Sequence, residues 1–147
     1  RIIVNEVQAA EVFDLFQGMN TGHDGTMFTI HAASPRDALA RLEMMATFAD
    51  LSIPVLTIRQ MMASAINLIT YQKWLPGGQR KILKVTEVTG MQGDVVELKD
   101  IFEFRETGID EEGRITGHFT ATGYIPKCLD RIKAVGINLP LDLFTPT

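Results

Sequence analysis

The pattern of apolar positions changes period about halfway along the chain. Up to about residue 66, short apolar runs alternate with helical faces. Ile2-Ile3-Val4 is an apolar run of the buried-strand type. Val12, Phe13, Phe16 and Met19 then recur at the spacing of one helical face, with Gly18 and Gly22 around its end. Residues 26–31 carry β-branched and aromatic side chains and predict a second strand. Ser34-Pro35 starts a helix: Ser as N-cap, Pro at the first helical position and Asp37 in the first turn. Leu39, Leu42, Met45 and Ala46 form its apolar face. Ser52-Ile53-Pro54 predicts the start of another helix, with Ile58, Met62 and Ile66 inward.

From about residue 67 the pattern is that of strands and turns. Residues 68–74 and 81–89 predict strands joined at Pro76-Gly77-Gly78-Gln79. Gln92-Gly93-Asp94 is a second turn. Residues 95–98 and 101–105 continue the sheet, with Phe102 and Phe104 on one face, and Glu111-Glu112-Gly113 is a third turn. A last helix is predicted from about 126 to 135, stopping at Gly136 with Pro140 beyond. The expectation is an α/β fold in two parts. Residues 1–66 are strand–helix–strand–helix–helix; residues 67–147 are an antiparallel meander with a terminal helix. No internal repeat or low-complexity segment interrupts it.

Composition narrows this picture in a few respects. A hydrophobic share of 46% is enough for a real core. A net charge of -4 leaves no overall basic footprint, which argues against nucleic acid or an anionic membrane surface as the main partner. Cys128 is the single cysteine, so no intrachain disulfide forms and a reducing compartment is expected. No apolar run reaches the roughly 18 residues needed to span a bilayer. The chain opens at Arg1, already inside a strand-like pattern, and reads as an excised piece of a longer protein.

Two segments carry candidate chemistry. Glu6 stands just past the first apolar run, at the carboxyl end of a strand, where open α/β sheets bind ligands. An acid there can orient an attacking water or contact a magnesium shell; it can equally be a polar residue where the strand leaves the core. His23 and His31 flank the second predicted strand, and an imidazole at a strand end can contact a phosphate oxygen. They read equally as loop polar residues. Their spacing fits no zinc signature. No Gly-x4-Gly-Lys-Ser/Thr occurs anywhere in the chain, and Gly77-Gly78-Gln79-Arg80-Lys81 is only a hairpin turn.

Taken together these segments resemble the type II/type IV secretion ATPase superfamily. Glu6 is followed by Gly22-His23, then Thr29-x-His31-Ala32, then Ser34-Pro35-Arg36-Asp37-Ala38. The segment from Met19 to Gly25 and the Ser-Pro-Arg-Asp-Ala segment look most like the Tad/Flp pilus branch. Thr86-Glu87-Val88-Thr89-Gly90-Met91 and the ending Leu139-Pro140-x-Asp142-Leu143-Phe144 are similar too. The resemblance implies the C-terminal portion of a RecA-like P-loop domain, from Walker B onward. It implies Glu6 as the catalytic glutamate that polarises water, with His31, His23 and Thr29 as nucleotide-sensing residues of a histidine box. It further implies ATP and Mg2+ in the intact parent, with Mg2+ reached through Glu6 rather than ligated directly, and none expected bound to this chain. The parent is expected to be a homo-oligomeric ring, a hexamer, cytoplasmic and peripheral at the inner face of the cytoplasmic membrane. It would engage inner-membrane secretion or pilus platform proteins and no nucleic acid.

Several positions depart from the family pattern. Asn5 stands where glycine is usual, Gln8 where arginine is usual, Ala9-Ala10 where a glycine is expected, Phe28 at a small-residue position and Ala33 where asparagine is usual. Gln8 cannot replace a planar arginine fork. With the phosphate loop missing, the chain is expected to be inactive alone. These features also keep open a different class, a non-catalytic interaction module from a degenerate or partial secretion ATPase. Elsewhere, Met44-Met45 and Met61-Met62 read as helix packing, Trp74 as a partly buried sheet residue or an interface anchor, and Cys128 as inert packing. Arg36, Arg41 and Arg59 read as solvated helix residues, one of which could reach a neighbour's nucleotide in a ring.

Overall fold

The computed structural model describes residues 1–49 and 52–147. The chain divides into two compact units. The first is Arg1–Asn67 with Val88–Leu98; the second is Leu68–Glu87 with Lys99–Thr147.

In the first unit, β1 (Ile3–Val4) pairs in parallel with β2 (Met27–Phe28), in the register Ile3 with Met27 and Val4 with Phe28. Both strands are shorter than the sequence predicts, and Ile3 is 70% exposed, so the apolar opening run is not buried. Three helices supply the core: α1 (Glu11–Asn20), α2 (Pro35–Thr47) and α3 (Val55–Ala65). Val12, Phe13 and Phe16 of α1 are buried. So are Leu39, Leu42, Met45 and Ala46 of α2, and Ile58 and Met62 of α3 with Ile66 just beyond. These are the predicted faces, apart from Met19, which is half-buried. Ser34 caps α2 as its sequence requires, its hydroxyl accepting from the Asp37 N–H at 3.1 Å. Ser52 does not cap α3; Pro54 holds the N-cap position, extended at φ -58° and ψ 139°, and the helix starts at Val55. A proline disfavours helical backbone at the residue before it, which keeps the preceding residue out of the helix.

The second unit is built on a four-stranded antiparallel sheet in the order β3 (Leu68–Leu75), β4 (Gln79–Gln92), β5 (Val95–Ile109) and β6 (Ile115–Ala121). The hairpin end of β4 and β5 belongs to the first unit. The two segments predicted at 95–98 and 101–105 are one strand, because Lys99 and Asp100 stay in the sheet. Asp100 is tied to β4, accepting from the Thr86 hydroxyl at 2.7 Å and pairing with Lys84. Strand β6 was not anticipated, since Gly117 and His118 dilute its apolar pattern. A Cβ at Gly117 would collide with the Arg105 carbonyl and the Phe104 ring, so only glycine lets these strands approach as closely as they do. Helix α4 (Cys128–Ala134) and a 3-10 turn, Leu141–Phe144, follow. Ile101, Leu129 and Phe144 are the buried centre of this unit, with Val85, Phe102, Tyr124 and Leu139 against them. The Phe102 ring lies 5.8 Å from Phe119 and 5.9 Å from Phe144. Trp74 is 65% exposed rather than partly buried in the sheet.

Candidate active site

The parallel pairing of β1 and β2 sets the geometry of the candidate site. Hydrogen bonds continue beyond the two strands at both ends, Met27 N–H to the Ile2 carbonyl and Val7 N–H to the Thr29 carbonyl, each 3.0 Å. The two chains therefore leave the sheet side by side, and the residues at their carboxyl ends meet. Glu6 Oε1 lies 3.5 Å from His31 Nε2. The imidazole is 84% exposed and the carboxylate 34%. The pair is open to solvent and accessible to a ligand, so its mutual attraction is worth little by itself. Thr29 joins from below, its hydroxyl donating to the Asn5 carbonyl. That bond fixes the backbone immediately before Glu6.

His23 has a different partner. Its Nδ1 lies 3.0 Å from the Gly18 carbonyl, in the last turn of α1. The Thr21 hydroxyl donates to the Gln17 and Gly18 carbonyls, and the Thr26 hydroxyl to the His23 carbonyl. This loop is thus folded onto the end of α1, where unpaired carbonyls favour donors. Of the sequence-predicted residues, the structure brings Glu6, His31 and Thr29 together and holds His23 on the helix end.

Two local features escaped the sequence reading. Glu11 accepts from the backbone N–H groups of Gln8 at 2.8 Å and Ala9 at 3.2 Å. These bonds, led by that of Gln8, hold its carboxyl below the usual range. Glu11 thereby fixes the turn that follows Glu6; the only signal in the sequence is an acid in a first helical turn. Arg59 makes a two-pronged bond to Glu43, at 2.7 and 3.1 Å, and reaches the Asp94 carbonyl at 2.9 Å. Hydrogen bonding to Glu43, then its charge, raises the Arg59 pKa further. Arg36 donates to the Val96 carbonyl. Both arginines are therefore engaged within the first unit, whereas Arg41 is exposed.

The donor set suits water-mediated contact with a cation better than direct ligation. Glu6 is one carboxylate, and no group of three His, Cys, Asp or Glu side chains among the described residues is arranged to hold a metal ion. Mg2+ commonly keeps several waters and takes one or two carboxylates together with substrate phosphates.

The strand–helix arrangement matches a known architecture. The crystal structure of the VirB11 ATPase from the Brucella suis type IV secretion system, in complex with sulphate, superposes with a TM-score of 0.54. It shares 24% identity over 58% of this chain and 26% of its own, which speaks to the fold alone. The fold is thus mixed α/β, a RecA-like portion with an antiparallel sheet and terminal helix. The family described as type II/IV secretion system protein matches residues 1–112, and the chain belongs to that family. A Mycobacterium tuberculosis protein that bears the name "putative conjugal transfer protein" is 32% identical over 95 residues, covering 65% of this chain and 26% of that protein. Conjugal transfer protein TrbB of Rhizobium radiobacter is 27% identical over 106 residues, covering 72% and 31%. Type IV secretion system protein PtlH of Bordetella pertussis is 30% identical over 89 residues, covering 58% and 26%. The chain spans between a quarter and a third of the length of these relatives.

Proposed function

We propose that the chain is the Walker B and histidine-box part of an ATP-hydrolysing motor for type II/type IV secretion or Tad/Flp pilus assembly. The observation that carries this reading is the meeting of Glu6 and His31, 3.5 Å apart, at adjoining carboxyl ends of a parallel strand pair. That is where α/β sheets place ligands. Family membership supports the same reading; the Tad/Flp branch rests on residues 19–25 and 34–38 of the sequence.

Bound ATP and Mg2+ in the parent supply the phosphoryl group and neutralise its charge. The chain's own part is positional. Glu6 accepts a hydrogen bond from a water and aims its oxygen, and the exposed His31 imidazole is within reach of both that carboxylate and an incoming anion. Thr29 holds the Asn5 backbone so that Glu6 keeps its direction. His23 senses the same site through the α1 loop. Residues 1–147 hold no Gly-x4-Gly-Lys-Ser/Thr, so in this reading a phosphate loop would be supplied by another part of the parent. The parent works as a homo-oligomeric ring, a hexamer, on inner-membrane platform proteins at the cytoplasmic face of that membrane. No helix among the described residues is long and apolar enough to cross a membrane.

A second reading, a non-catalytic interaction module, is favoured by Gln8 at a usual arginine position and by the bulk of Phe28. Two measurements test the first reading, and the second of them separates it from the other. The 147-residue chain alone is expected to show no micromolar, magnesium-dependent ATP binding by calorimetry. In the full-length parent, Glu6→Gln is expected to lower kcat by roughly a hundredfold or more while nucleotide still binds. A parent that binds ATP but turns it over no faster than its Glu6→Gln variant selects the non-catalytic module.

A further inference from the structure

A half-exposed carboxylate such as that of Glu6 is aimed by the backbone that carries it, and here that backbone is pinned on both sides. Ahead of Glu6, the Thr29 hydroxyl donates to the Asn5 carbonyl. Just after it, the Val7 N–H donates to the Thr29 carbonyl at 3.0 Å, and the Val7 side chain is 1% exposed. Thr29 therefore holds both peptide groups that flank Glu6. The next two N–H groups, of Gln8 and Ala9, lie beyond the strand pair. They go to a single oxygen of Glu11, at 2.8 and 3.2 Å.

Glu11 makes these bonds from a firm base. The next two residues of α1, Val12 and Phe13, are buried in the core of the first unit, which fixes the first turn of the helix. No side chain caps α1 at Ala10. The acid reaches back across the turn instead, as the acid of a capping box does. Hydrogen bonding to these N–H groups, led by that of Gln8, holds the Glu11 carboxyl below the usual range and keeps it an acceptor. All of these contacts are made by the chain's own residues within the first unit.

We propose that Glu11 is a positioning residue for Glu6: it ties the turn that leaves the strand to the rigid start of α1, and so sets where the Glu6 carboxylate points. This role rests on the reading of Glu6 as the acid that aims a water. Its consequence is a rate effect, not a binding effect. Glu11 accepts from backbone alone, so its loss leaves the nucleotide's own contacts in place and lets the Glu6 carboxylate shift. A misplacement of about 1 Å at a reacting group can cost on the order of a hundredfold in rate. A cap that served α1 alone would change stability and leave the turnover of the folded enzyme as it was.

The test is a double-mutant cycle in the full-length parent, read by single-turnover and steady-state ATP hydrolysis. Glu11→Ala is expected to lower kcat roughly ten- to a hundredfold, with the KM for ATP little changed. Glu11→Gln, whose amide oxygen can accept the same bonds, is expected to restore most of the rate. In the Glu6→Gln background, Glu11→Ala is expected to cost nothing further, because no carboxylate is left to aim. Should Glu11→Ala unfold the parent, Glu11→Asp, one methylene too short to hold both N–H groups, carries the same expectations. An unchanged kcat, a full rate loss in Glu11→Gln, or an equal loss in both backgrounds would each overturn the positioning role and leave that of Glu6 standing. A Glu6→Gln parent as fast as the unmodified one would instead remove the role of Glu6, and that of Glu11 with it.

Discussion

Cys128 illustrates how one side chain is set by its surroundings. Burial pushes its thiol above the ordinary range, and the Glu87 carboxylate, by charge and by hydrogen bonding, pushes it in the same direction. The nucleophile is the thiolate, so its supply at pH 8 is small. Cys128 is expected to react with a disulfide reagent at pH 8 roughly ten times more slowly than a free cysteine, and E87Q is expected to shorten that gap. Labelling at the free-cysteine rate would contradict the assignment. The linkage has a definite sign. Above the unfolded thiol's range, near pH 8.5, the unfolded chain loses a proton that the native chain keeps, so stability falls as pH rises from there toward the raised native value. At this same scale the candidate site was largely legible. Glu6 follows an apolar run and His31 follows a β-branched one, and a parallel pairing of two such runs brings their ends together. The anchoring of His23 on the Gly18 carbonyl was not legible, because it depends on how the loop from Thr21 to Thr26 folds back on α1 rather than on any spacing.

Among the elements, α4 owes its start to a strand far away in sequence. It has seven residues and no side-chain cap of its own. The buried Glu87 of β4 takes that role, accepting from the Lys127 and Cys128 N–H groups at 2.9 and 2.8 Å and from the Tyr124 hydroxyl at 2.7 Å. The first N–H groups of a helix have no partner within it, and a buried carboxylate needs donors; each answers the other. Glu87→Ala leaves three donors without their acceptor and is expected to cost about 3 kcal/mol, read as a lower urea midpoint with an unchanged slope. Glu87→Gln, which keeps the shape, is expected to cost less. An unchanged midpoint for the alanine variant would show that water serves these donors equally well. Local chemistry of this kind divides what the sequence tells from what it hides. Ser34-Pro35 announces α2 because cap and helix are adjacent, and Gly136, at φ 87°, closes α4 as its position suggests. The cap of α4, 40 residues before Lys127, leaves no local trace. Likewise β3, with its turn at Gly77-Gly78, was legible, whereas β6 was not. Its place depends on Gly117 passing under the Phe104 ring, a contact between two strands and not a propensity of one.

For the molecule as a whole, the first unit leaves its two short strands uncovered. Ile3 is 70% exposed and Met27 50%, and the register sets these two side by side across the parallel pair. Ile2 is 38% exposed as well, on the opposite face by the alternation of a strand. A two-stranded sheet has two unpaired edges, and exposed apolar edges recruit further strands or a second copy. The competing outcome is that the terminal segment frays, since chain ends are commonly loose. The hydrogen bonds speak against fraying: Met27 N–H to the Ile2 carbonyl and Val7 N–H to the Thr29 carbonyl fasten β1 to β2 at both ends, and Val7 is fully buried. An ordered, apolar strand with one unpaired edge is the configuration that associates. The chain in isolation is therefore expected to gain apparent mass with concentration in light scattering. Ile3→Glu or Met27→Glu is expected to return it toward the monomer without lowering its melting temperature, because neither side chain is buried. A strict monomer at high concentration, with β1 amides still protected from exchange, would mean that this surface is tolerated in water as it stands. Concentration-dependent mass that survives both substitutions would instead place the contact elsewhere, with the exposed Trp74 of β3 the next residue to change.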